Sequence, residues 1–404
     1  MKKEMKKVPV VRFKGFTSDW EQRKLSELAI FSKGIGYSKS DLRESGTPII
    51  LYGRLYTKYE TVIKDVDTFV EDKTDSIYSK GGEVIVPASG ETAEDISIAS
   101  VVEKPGILLG SDLNIIHPNK KIDSTFLAIS ISNGEPHLDM ARRAQGKSIV
   151  HLHNDDLAQI GLSYPILEEQ RKISRCFSQL DHLITLHQRK SDQLKKLKAY
   201  FLQNLFPDKG EKVPKIRFKG FTDDWEQRKL GSIAIINPKS ELPEQFKYVD
   251  LESVVGTSLL GYSVVERENA PSRAQRLAIE GDVFYQTVRP YQRNNYLYEE
   301  TDKDYVFSTG YAQLRTSLDS YFLLTLLQND NFVKIVLDNC TGTSYPAINS
   351  SALSKIPVST PKSIDETIKI GNTFRKLDNF ITLHQRKLEA LQTLKKFLLQ
   401  NLFV

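Results

Sequence analysis

The chain has 404 residues, of which 40% are hydrophobic and 26% are charged, and these values are typical of a globular protein with two or more domains. Its formal net charge of +5 permits an acidic partner such as DNA without requiring one. The two cysteines lack CxxC spacing and no apolar run reaches 18 residues, so the sequence argues against a disulfide scaffold, a thiolate metal site and a membrane span, and favours a cytoplasmic location.

Two passages near the domain boundaries occur twice, and they define a repeated frame. The segment from Arg12 to Leu25 returns from Arg217 to Leu230, and the segment from Ile184 to Lys190 returns from Ile381 to Lys387. The inserts between them, 31–165 and 236–360, are unrelated in sequence. A constant frame around two divergent inserts suggests one scaffold that carries two different recognition surfaces.

The first insert is predicted to be strand-rich, with short strands within 47–52, 82–87 and 106–109, separated by turn residues. Tyrosines and cations are dense in its loops. Since Arg and Lys bind phosphates and bases, and tyrosines contact both, these side chains are candidates for DNA contact. The alternative is a solvated loop with half-buried tyrosines, and composition alone does not separate the two. The candidates are Tyr37, Tyr52, Arg54, Tyr56 and Lys147.

A long helix is predicted after the first insert, over 166–207. Apolar positions from Ile173 to Leu194 are spaced alternately by four and three residues, which is the coiled-coil rhythm. At ~1.5 Å per residue, a helix of about 40 residues is roughly 60 Å long. Ile184 and His187 fall on the seam, where a histidine is expected to pack or to face a partner rather than to bind a metal.

The second insert is predicted to have the same fold with different loops. Strands are expected at 281–285 and 305–307, and the closing pattern Gly146, Leu157, Ile160 is repeated as Gly342, Leu353, Ile356. Arginines and asparagines alternate with tyrosines from residue 287 to 296, and such side chains suit guanine and adenine edges. The candidates for DNA contact here are Arg289, Tyr291, Arg293, Asn294 and Tyr311, with Arg293 as the expected reader of guanine.

A second long helix is predicted over 364–404, with Ile381 and His384 on its seam. Neither helix can bury its seam alone, so the natural partner of each is the other, in antiparallel orientation. We therefore predict an α+β fold in which two mixed, strand-rich domains are separated by a pair of antiparallel coiled-coil helices. The repeat is expected to be pseudo-twofold and pseudo-cyclic, because the chain ends where a ring of two copies would close.

No motif for catalysis is convincing. The sequence lacks the Asn-Pro-Pro-aromatic motif of amino-methyltransferases and a nuclease carboxylate set. His151 and His153 lie near two aspartates, but the second copy has Pro346 and Ile348 at these places, so packing or phosphate contact is favoured over a metal site. We therefore expect a protein without catalytic activity or a metal.

The frame residues resemble a known family. The stretch from Pro165 to Ile173, with Glu169 and Gln170, and the Asp-Trp-Glu-Gln-Arg-Lys-Leu stretch that begins at Asp19 resemble specificity subunits of type I restriction–modification systems. The resemblance covers essentially the whole chain. One departure is Thr367, which stands where the first copy has Gln170; if that glutamine caps the helix or contacts the partner, the second copy is expected to bind the partner less strongly.

The resemblance implies a DNA-reading subunit in which each target recognition domain binds one half of a split double-stranded target while the helices set the gap. It also implies two methyltransferase subunits and additional restriction subunits with translocase activity as partners. S-adenosylmethionine, ATP and Mg would be bound by those partners and not by this chain. Glu169, Gln170, Ile184, His187, Ile381 and His384 are the expected partner or seam residues.

The predicted boundaries are 1–165 and 208–363 for the recognition domains and 166–207 and 364–404 for the helices. Two other classes remain open. A stand-alone DNA-binding regulator would bind DNA tightly without other subunits. A coiled-coil adaptor would show no salt-dependent affinity for DNA.

Overall fold

The computed structural model describes residues 8–146, 149–342 and 344–404. The chain forms two compact units, and the boundary between them falls inside both long helices. Unit 1 contains Met1–His187 and Lys387–Val404, and unit 2 contains Gln188–Arg386. Each unit therefore includes one recognition domain and a part of each long helix. Within the described ranges, no helix has the length and apolar character needed to cross a membrane.

The recognition domain of unit 1 is built on a five-stranded sheet with the order β2-β10-β6-β8-β4 and a three-stranded sheet with the order β5-β3-β9. Its strands are β1 Glu21–Lys24, β2 Ala29–Lys33, β3 Thr47–Ile50, β4 Val62–Ile63, β5 Phe69–Val70, β6 Glu83–Pro87, β7 Ser89–Gly90, β8 Ser100–Val102, β9 Leu108–Leu109, β10 Leu113–Pro118, β11 Val150–His151 and β12 Gly161–Tyr164. Its helices are α1 Gly53–Thr57, α2 Ala93–Ile96, α3 Ser124–Ile131, α4 Gly134–Arg143 and α5 Asn154–Ala158. The three predicted strands of this domain are confirmed as β3, β6 and β9.

The first long helix follows as α6 Leu167–Asn204, and the recognition domain of unit 2 comes next. This domain has two four-stranded sheets, with the orders β14-β23-β20-β21 and β18-β15-β22-β19. Its strands are β13 Glu226–Lys229, β14 Ala234–Ile236, β15 Gln245–Val249, β16 Val254–Val255, β17 Ser258–Leu259, β18 Ser263–Glu266, β19 Ala274–Leu277, β20 Val283–Gln286, β21 Tyr296–Leu297, β22 Tyr305–Ser308, β23 Tyr311–Thr316 and β24 Pro357–Thr360. Its helices are α7 Leu230–Ile233, α8 Ser320–Gln328, α9 Asp330–Asp338 and α10 Ser350–Lys355, and the second long helix is α11 Ile364–Asn401.

The two domains share a scaffold and differ in its decoration. β1 pairs with β12 in the same antiparallel register as β13 pairs with β24. The central strands β6 and β20 are fully buried, which agrees with their continuous apolar runs. Asp123 and Asp319 each cap the helix that follows, because each carboxylate accepts a hydrogen bond from a backbone N–H of the first turn. One fold with different loops, as the shared closing patterns predicted, is confirmed.

The long helices have 38 residues each, and their apolar seams are buried where they meet within a unit. In unit 1, Asp181 near the start of α6 forms an ion pair with Lys395 near the end of α11. In unit 2, Asp378 near the start of α11 forms the equivalent ion pair with Lys198 near the end of α6. The start of one helix thus meets the end of the other in each unit, and the antiparallel prediction is confirmed.

The end of each helix completes a core that the other copy begins. In unit 2, the ring of Phe206 lies 6.0 Å from Trp225, 5.8 Å from Phe322 and 6.3 Å from Phe374, measured between centroids. In unit 1, Phe403 packs in the same way against Trp20, Phe126 and Phe177 at 6.5, 5.8 and 5.9 Å. These rings are large apolar groups whose pairs are edge-on, tilted or, for Phe206 and Phe322, stacked, and such pairs add to the stability of a core.

The backbone shows the cyclic character of the repeat as well. The N–H of Val11 donates to the carbonyl oxygen of Asn401 at 2.9 Å, and the N–H of Ile216 donates to that of Asn204 at the same distance. Each frame segment is therefore held by the helix end that precedes it in a ring of two copies.

The repeated Arg-Phe-Lys-Gly-Phe-Thr segment acts as a clamp on the start of the helix. The guanidinium of Arg12 makes two hydrogen bonds to the carboxylate of Glu169, at 2.7 and 2.8 Å. Arg217 and Glu366 make the same pair at 2.8 and 2.9 Å. Both glutamates are buried, so the pairs hold the frame to the helix and neutralise carboxylates that water does not reach.

The expected partner role of Glu169 and Gln170 is corrected by this arrangement. Gln170 is fully buried, and its amide bonds the backbone of Lys121, Asp123 and Pro165. Both side chains are consumed by contacts within unit 1 and present no surface to another protein. At the equivalent place, Thr367 bonds the carbonyl oxygen of Ile364 in its own helix, so the substitution changes how the helix is anchored.

Candidate nucleic-acid interface

A strained loop follows strand β20 in unit 2 and covers residues 287–295. Thr287 fixes its start, because its N–H and its hydroxyl both donate to the carbonyl oxygen of Gly310, at 2.9 and 2.7 Å. The carbonyl oxygen of Thr287 accepts from the N–H of Ile348, which ties the loop to the residue after Ala347, and Ala347 is itself bridged to Thr341. The proline at 290 then starts a single turn, Pro290–Gln292, in which its fixed φ is already helical.

Arg289 and Arg293 flank that turn, and both adopt left-handed backbone conformations, with φ of +55° and +56°. This region costs roughly 1–2 kcal/mol for a residue with a side chain and almost nothing for glycine. Two arginines at such positions make this loop a candidate functional site.

A buried polar network holds the loop in this shape. The side-chain amide of Gln286 donates to the side-chain oxygen of Gln292 at 2.8 Å, and its oxygen accepts from the N–H of Asn294 at 3.3 Å. The N–H of Gln286 donates to the side-chain oxygen of Asn295 at 2.9 Å. Gln286 and Asn295 are both buried, so these bonds are made out of water and restrict the loop.

Arg293 is committed to the protein and does not present a free guanidinium. Its Nη1 donates to the carbonyl oxygen of Gln328 at 3.0 Å, and its Nη2 pairs with Asp330 at 2.6 Å. The side chain of Gln328 donates back to the carbonyl oxygen of Arg293. The role of Arg293 as the reader of guanine is therefore revised, because the side chain positions the loop on the junction of α8 and α9.

Arg289 has the opposite environment. Its guanidinium carbon lies 4.4 Å from the ring centroid of Tyr345, and its backbone N–H donates to the carbonyl oxygen of Pro346 at 2.8 Å. Within the described ranges, the guanidinium has no hydrogen-bond acceptor and no carboxylate partner. Tyr345 is 63% exposed and Tyr291 is 49% exposed, so a stacked cation and two aromatic rings lie at the surface. Sequence reasoning missed Tyr345, although its place three residues after Gly342 in the repeated closing hairpin marks it.

Asn294 and Tyr311 are structural in this conformation. The side-chain oxygen of Asn294 accepts from the N–H of Gly256 at 2.8 Å and so holds the turn between β16 and β17. Tyr311 is 1% exposed and packs edge-on against Phe284 and Phe307. The prediction that Tyr311 faces DNA is corrected, since its ring belongs to the core.

In unit 1, the equivalent place after β6 carries a different surface. The hydroxyl of Tyr56 donates to the carbonyl oxygen of Ser89 at 2.6 Å, and burial raises the pKa of Tyr56, so the hydroxyl stays protonated. Tyr52 meets Tyr56 edge-on, with centroids 6.0 Å apart, and both rings remain partly exposed. A Cβ on Gly90 would lie 2.9 Å from the Tyr56 hydroxyl, so this tyrosine occupies the space that a side chain would need.

Tyr37 and Arg54 are not available to a ligand, and both predictions are corrected. Tyr37 is buried, and its hydroxyl accepts from the N–H of Lys73 at 2.6 Å. Arg54 is buried between Asp67 and Glu60, each at 2.7 Å. Hydrogen bonds from Lys58 and Arg54 lower the pKa of Asp67 to about 2. Lys147, the fifth candidate of this domain, lies outside the described residues.

The seam residues keep their predicted place. Ile381 is buried, and Ile184, His187 and His384 are half-buried. Their contact with a partner stays a prediction.

The described residues contain no group of three or more His, Cys, Asp or Glu side chains placed to hold a metal ion. His151 and His153 stack with centroids 6.4 Å apart and an interplanar angle of 2°. Cys176 and Cys340 are free thiols, and burial raises the pKa of both.

Comparison with known proteins gives the family. The family model for the type I restriction modification DNA specificity domain matches the chain twice, over residues 17–196 and 222–393, and the chain belongs to this family. The type I restriction enzyme MjaVIII specificity subunit of Methanocaldococcus jannaschii is 23% identical over 399 residues, which cover 94% of this chain and 90% of the relative. The putative MjaX specificity subunit of the same organism is 23% identical over 419 residues, which cover 94% and 91%.

The fold is shared with a solved structure. The crystal structure of the S subunit of a type I restriction–modification system from M. genitalium has a TM-score of 0.65 and 15% identity, and the match covers 98% of this chain and 99% of the other. The match of the family model over both repeats makes the chain a type I specificity subunit with two target recognition domains.

Proposed function

We propose that this chain supplies the sequence address of a type I restriction–modification complex and that each target recognition domain reads one half of a split DNA target. The observation that carries the proposal is a constant scaffold with two different surfaces. After the equivalent strands β6 and β20, unit 1 presents Tyr52 and Tyr56 around Gly90, whereas unit 2 presents Arg289 stacked on Tyr345. Two different surfaces on one scaffold suit two different half-sites.

The long helices are the proposed spacer and docking element. A helix of 38 residues is roughly 57 Å long at ~1.5 Å per residue, which exceeds one duplex turn of about 34–36 Å. Large apolar side chains recur on their exposed surfaces at equivalent positions. The four pairs are Leu183 and Phe380, Leu186 and Leu383, Leu197 and Leu394, and Tyr200 and Phe397. A duplicated apolar surface suits two copies of one protein, and we assign it to two methyltransferase subunits.

In this proposal methyl transfer and DNA cleavage belong to partner subunits, which bind S-adenosylmethionine, ATP and Mg. Restriction subunits join the same complex. The family description names DNA specificity, and that description supports a reading role for this chain.

Methylome sequencing tests the proposal. Cells that express this chain with its methyltransferase are compared with cells that express the methyltransferase alone. A new split motif with methyladenine in both halves is expected. If the complex assembles and no new motif appears, the reading role is wrong, and salt-dependent binding of DNA by the chain alone would then favour a stand-alone regulator.

Leu186→Asp and Leu383→Asp test the docking surface. Each places a charge on the exposed apolar surface of one long helix and disturbs one of the two proposed docking sites, so each should lower the recovery of the methyltransferase on the purified chain by about half, and the double variant by about tenfold. Gln193→Asp, which adds one negative charge at an exposed polar position of α6, is the control. Equal recovery with all these variants would contradict the assignment.

A further inference from the structure

We propose that Arg289, held in place by Tyr345, reads a guanine in the half-site of the second recognition domain, and that Arg293 positions it. The inference rests on the proposed function and assigns one base to one side chain.

The guanidinium of Arg289 lies over an aromatic ring and is not bonded to another described residue. Stacking on an aromatic face fixes the plane of an arginine and leaves its in-plane N–H donors pointing away from the ring. Arg289 lies 4.4 Å from the Tyr345 centroid and has no acceptor among the described residues. Arg293, four residues later, has both of its Nη atoms bonded to Gln328 and Asp330. Of these two loop arginines, Arg289 alone lies over an aromatic ring and has uncommitted donors within the described ranges.

The backbone at Arg289 adopts a conformation that is uncommon for a residue with a side chain. Arg289 has a φ of +55°, a conformation in which glycine would avoid the steric cost. The first recognition domain has a glycine at the equivalent place, without that positive φ. Ser89 pairs with His151 in unit 1, and Val288 pairs with Ala347 in unit 2, so Gly90 is the equivalent of Arg289. The same alignment places Ile149 opposite Tyr345. Where the first domain has glycine and isoleucine, the second has a cation over an aromatic ring, and the backbone differs as well, because Gly90 does not share the positive φ of Arg289.

Guanine carries two acceptors that match the donors of a guanidinium. A rigid planar fork matches two acceptors in one plane, and guanine presents O6 and N7 in this way in the major groove. A phosphate is also bound by arginine, but a mobile side chain suffices for that contact. The buried network around Gln286 and Asn295 restricts the loop, and such rigidity suits base readout, for which position and plane both matter.

The loop also offers neutral neighbours. Tyr291 and Gln292 are exposed beside Arg289 and carry no charge at neutral pH. The hydroxyl of Tyr291 and the side-chain NH2 of Gln292, whose side-chain oxygen is bonded to Gln286, suit base edges or sugar oxygens at flanking positions.

Arg289→Gly is the decisive variant. It removes the guanidinium and keeps the backbone conformation, since glycine is at ease at this φ. The methylome of the variant complex should keep the first half of the motif and lose discrimination at one guanine of the second half, by about 5- to 150-fold. Arg289→Lys should fail in the same way, because an ammonium lacks the planar fork.

Tyr345 tests the positioning role. Tyr345→Ala should weaken discrimination at the same guanine, and Tyr345→Phe, which keeps the ring, should restore it. Arg267→Ala, an arginine between β18 and β19 that pairs with Glu244, is the control for loss of a cation elsewhere in the domain.

Three outcomes separate the possibilities. If the unmodified complex yields no split motif, the proposed function fails. If the unmodified complex yields a motif that Arg289→Gly leaves unchanged, only the assignment of Arg289 fails. If Arg289→Gly lowers methylation equally at all target sequences without relaxing any base, Arg289 binds phosphate, and the inference is overturned. Thermal unfolding of Arg289→Gly should match the parent chain, which keeps misfolding apart from these results.

Discussion

Phe206→Ala is expected to destabilise unit 2 by about 3–5 kcal/mol, the usual cost of truncating a buried phenylalanine. Phe206 is 4% exposed, and its ring lies about 6 Å from those of Trp225, Phe322 and Phe374. Phe206 is the last residue of the repeated Gln-Asn-Leu-Phe passage and follows the end of α6. The variant therefore removes the side chain that completes the core of the second recognition domain. The cavity would be lined by aromatic rings with limited freedom to collapse.

The chain contains two tryptophans, and each packs in one unit against the phenylalanine that follows a long helix: Trp20 against Phe403 and Trp225 against Phe206. In a Trp20→Phe background, the fluorescence of Trp225 follows unit 2 alone during urea unfolding. Tyr200→Ala is the matched control, since Tyr200 is on the same helix but is 52% exposed, and its loss should stay within about 0.5 kcal/mol. A loss below about 1 kcal/mol for Phe206→Ala would refute the argument that the helix end completes this core.

Arg217→Ala should cost about 3–5 kcal/mol in the same assay, because it leaves the buried carboxylate of Glu366 without its ionic partner; a loss of under about 1 kcal/mol would contradict the clamp. Gln170→Ala should cost about 1–3 kcal/mol in a Trp225→Phe background, since it leaves buried backbone groups unpaired. Thr367→Ala, which removes one bond within its own helix, should cost less, and equal losses would show that Gln170 is not an anchor. The pKa of Asp67, about 2, lies below its ordinary value of 3.8, so its ion pairs stabilise unit 1 above about pH 4 and this contribution is lost as the pH falls toward 2. Asp67→Asn should therefore flatten that part of the unit 1 stability profile, and an unchanged slope between pH 4 and 2 would exclude this cause.

The frame was predictable because the spacing of apolar residues and the repeated passages are visible in short stretches of the sequence. The alternation of four- and three-residue steps gave both long helices, whose observed bounds are Leu167–Asn204 and Ile364–Asn401. The repeated Gln-Asn-Leu-Phe passages showed that the helix ends matter, but not that each packs into the core begun by the other copy. That contact depends on tertiary packing between segments far apart in sequence.

The site was only partly predictable, because residue type does not reveal burial. Tyr291 and Tyr311 are both tyrosines near strand ends, yet the first is exposed and the second packs against Phe284 in the core. Likewise Arg289 and Arg293 are four residues apart in one loop. Asp330, which neutralises Arg293, lies 37 residues further along the chain. Only the fold brings such partners together.

In the proposed function each recognition domain reads its own half of the target, and the frame is the same around both domains. The segments to exchange are 25–160 and 230–356, because they begin and end at equivalent backbone hydrogen bonds. The N–H of Leu25 donates to the carbonyl oxygen of Ile160, and that of Leu230 donates to Ile356, each at 2.9 Å. The most direct measurement is methylome sequencing with a chain in which residues 25–160 replace residues 230–356. The chimera should yield a split motif in which both halves carry the bases of the original first half. Persistence of the original second half, or loss of all methylation by a complex that still assembles, would contradict it.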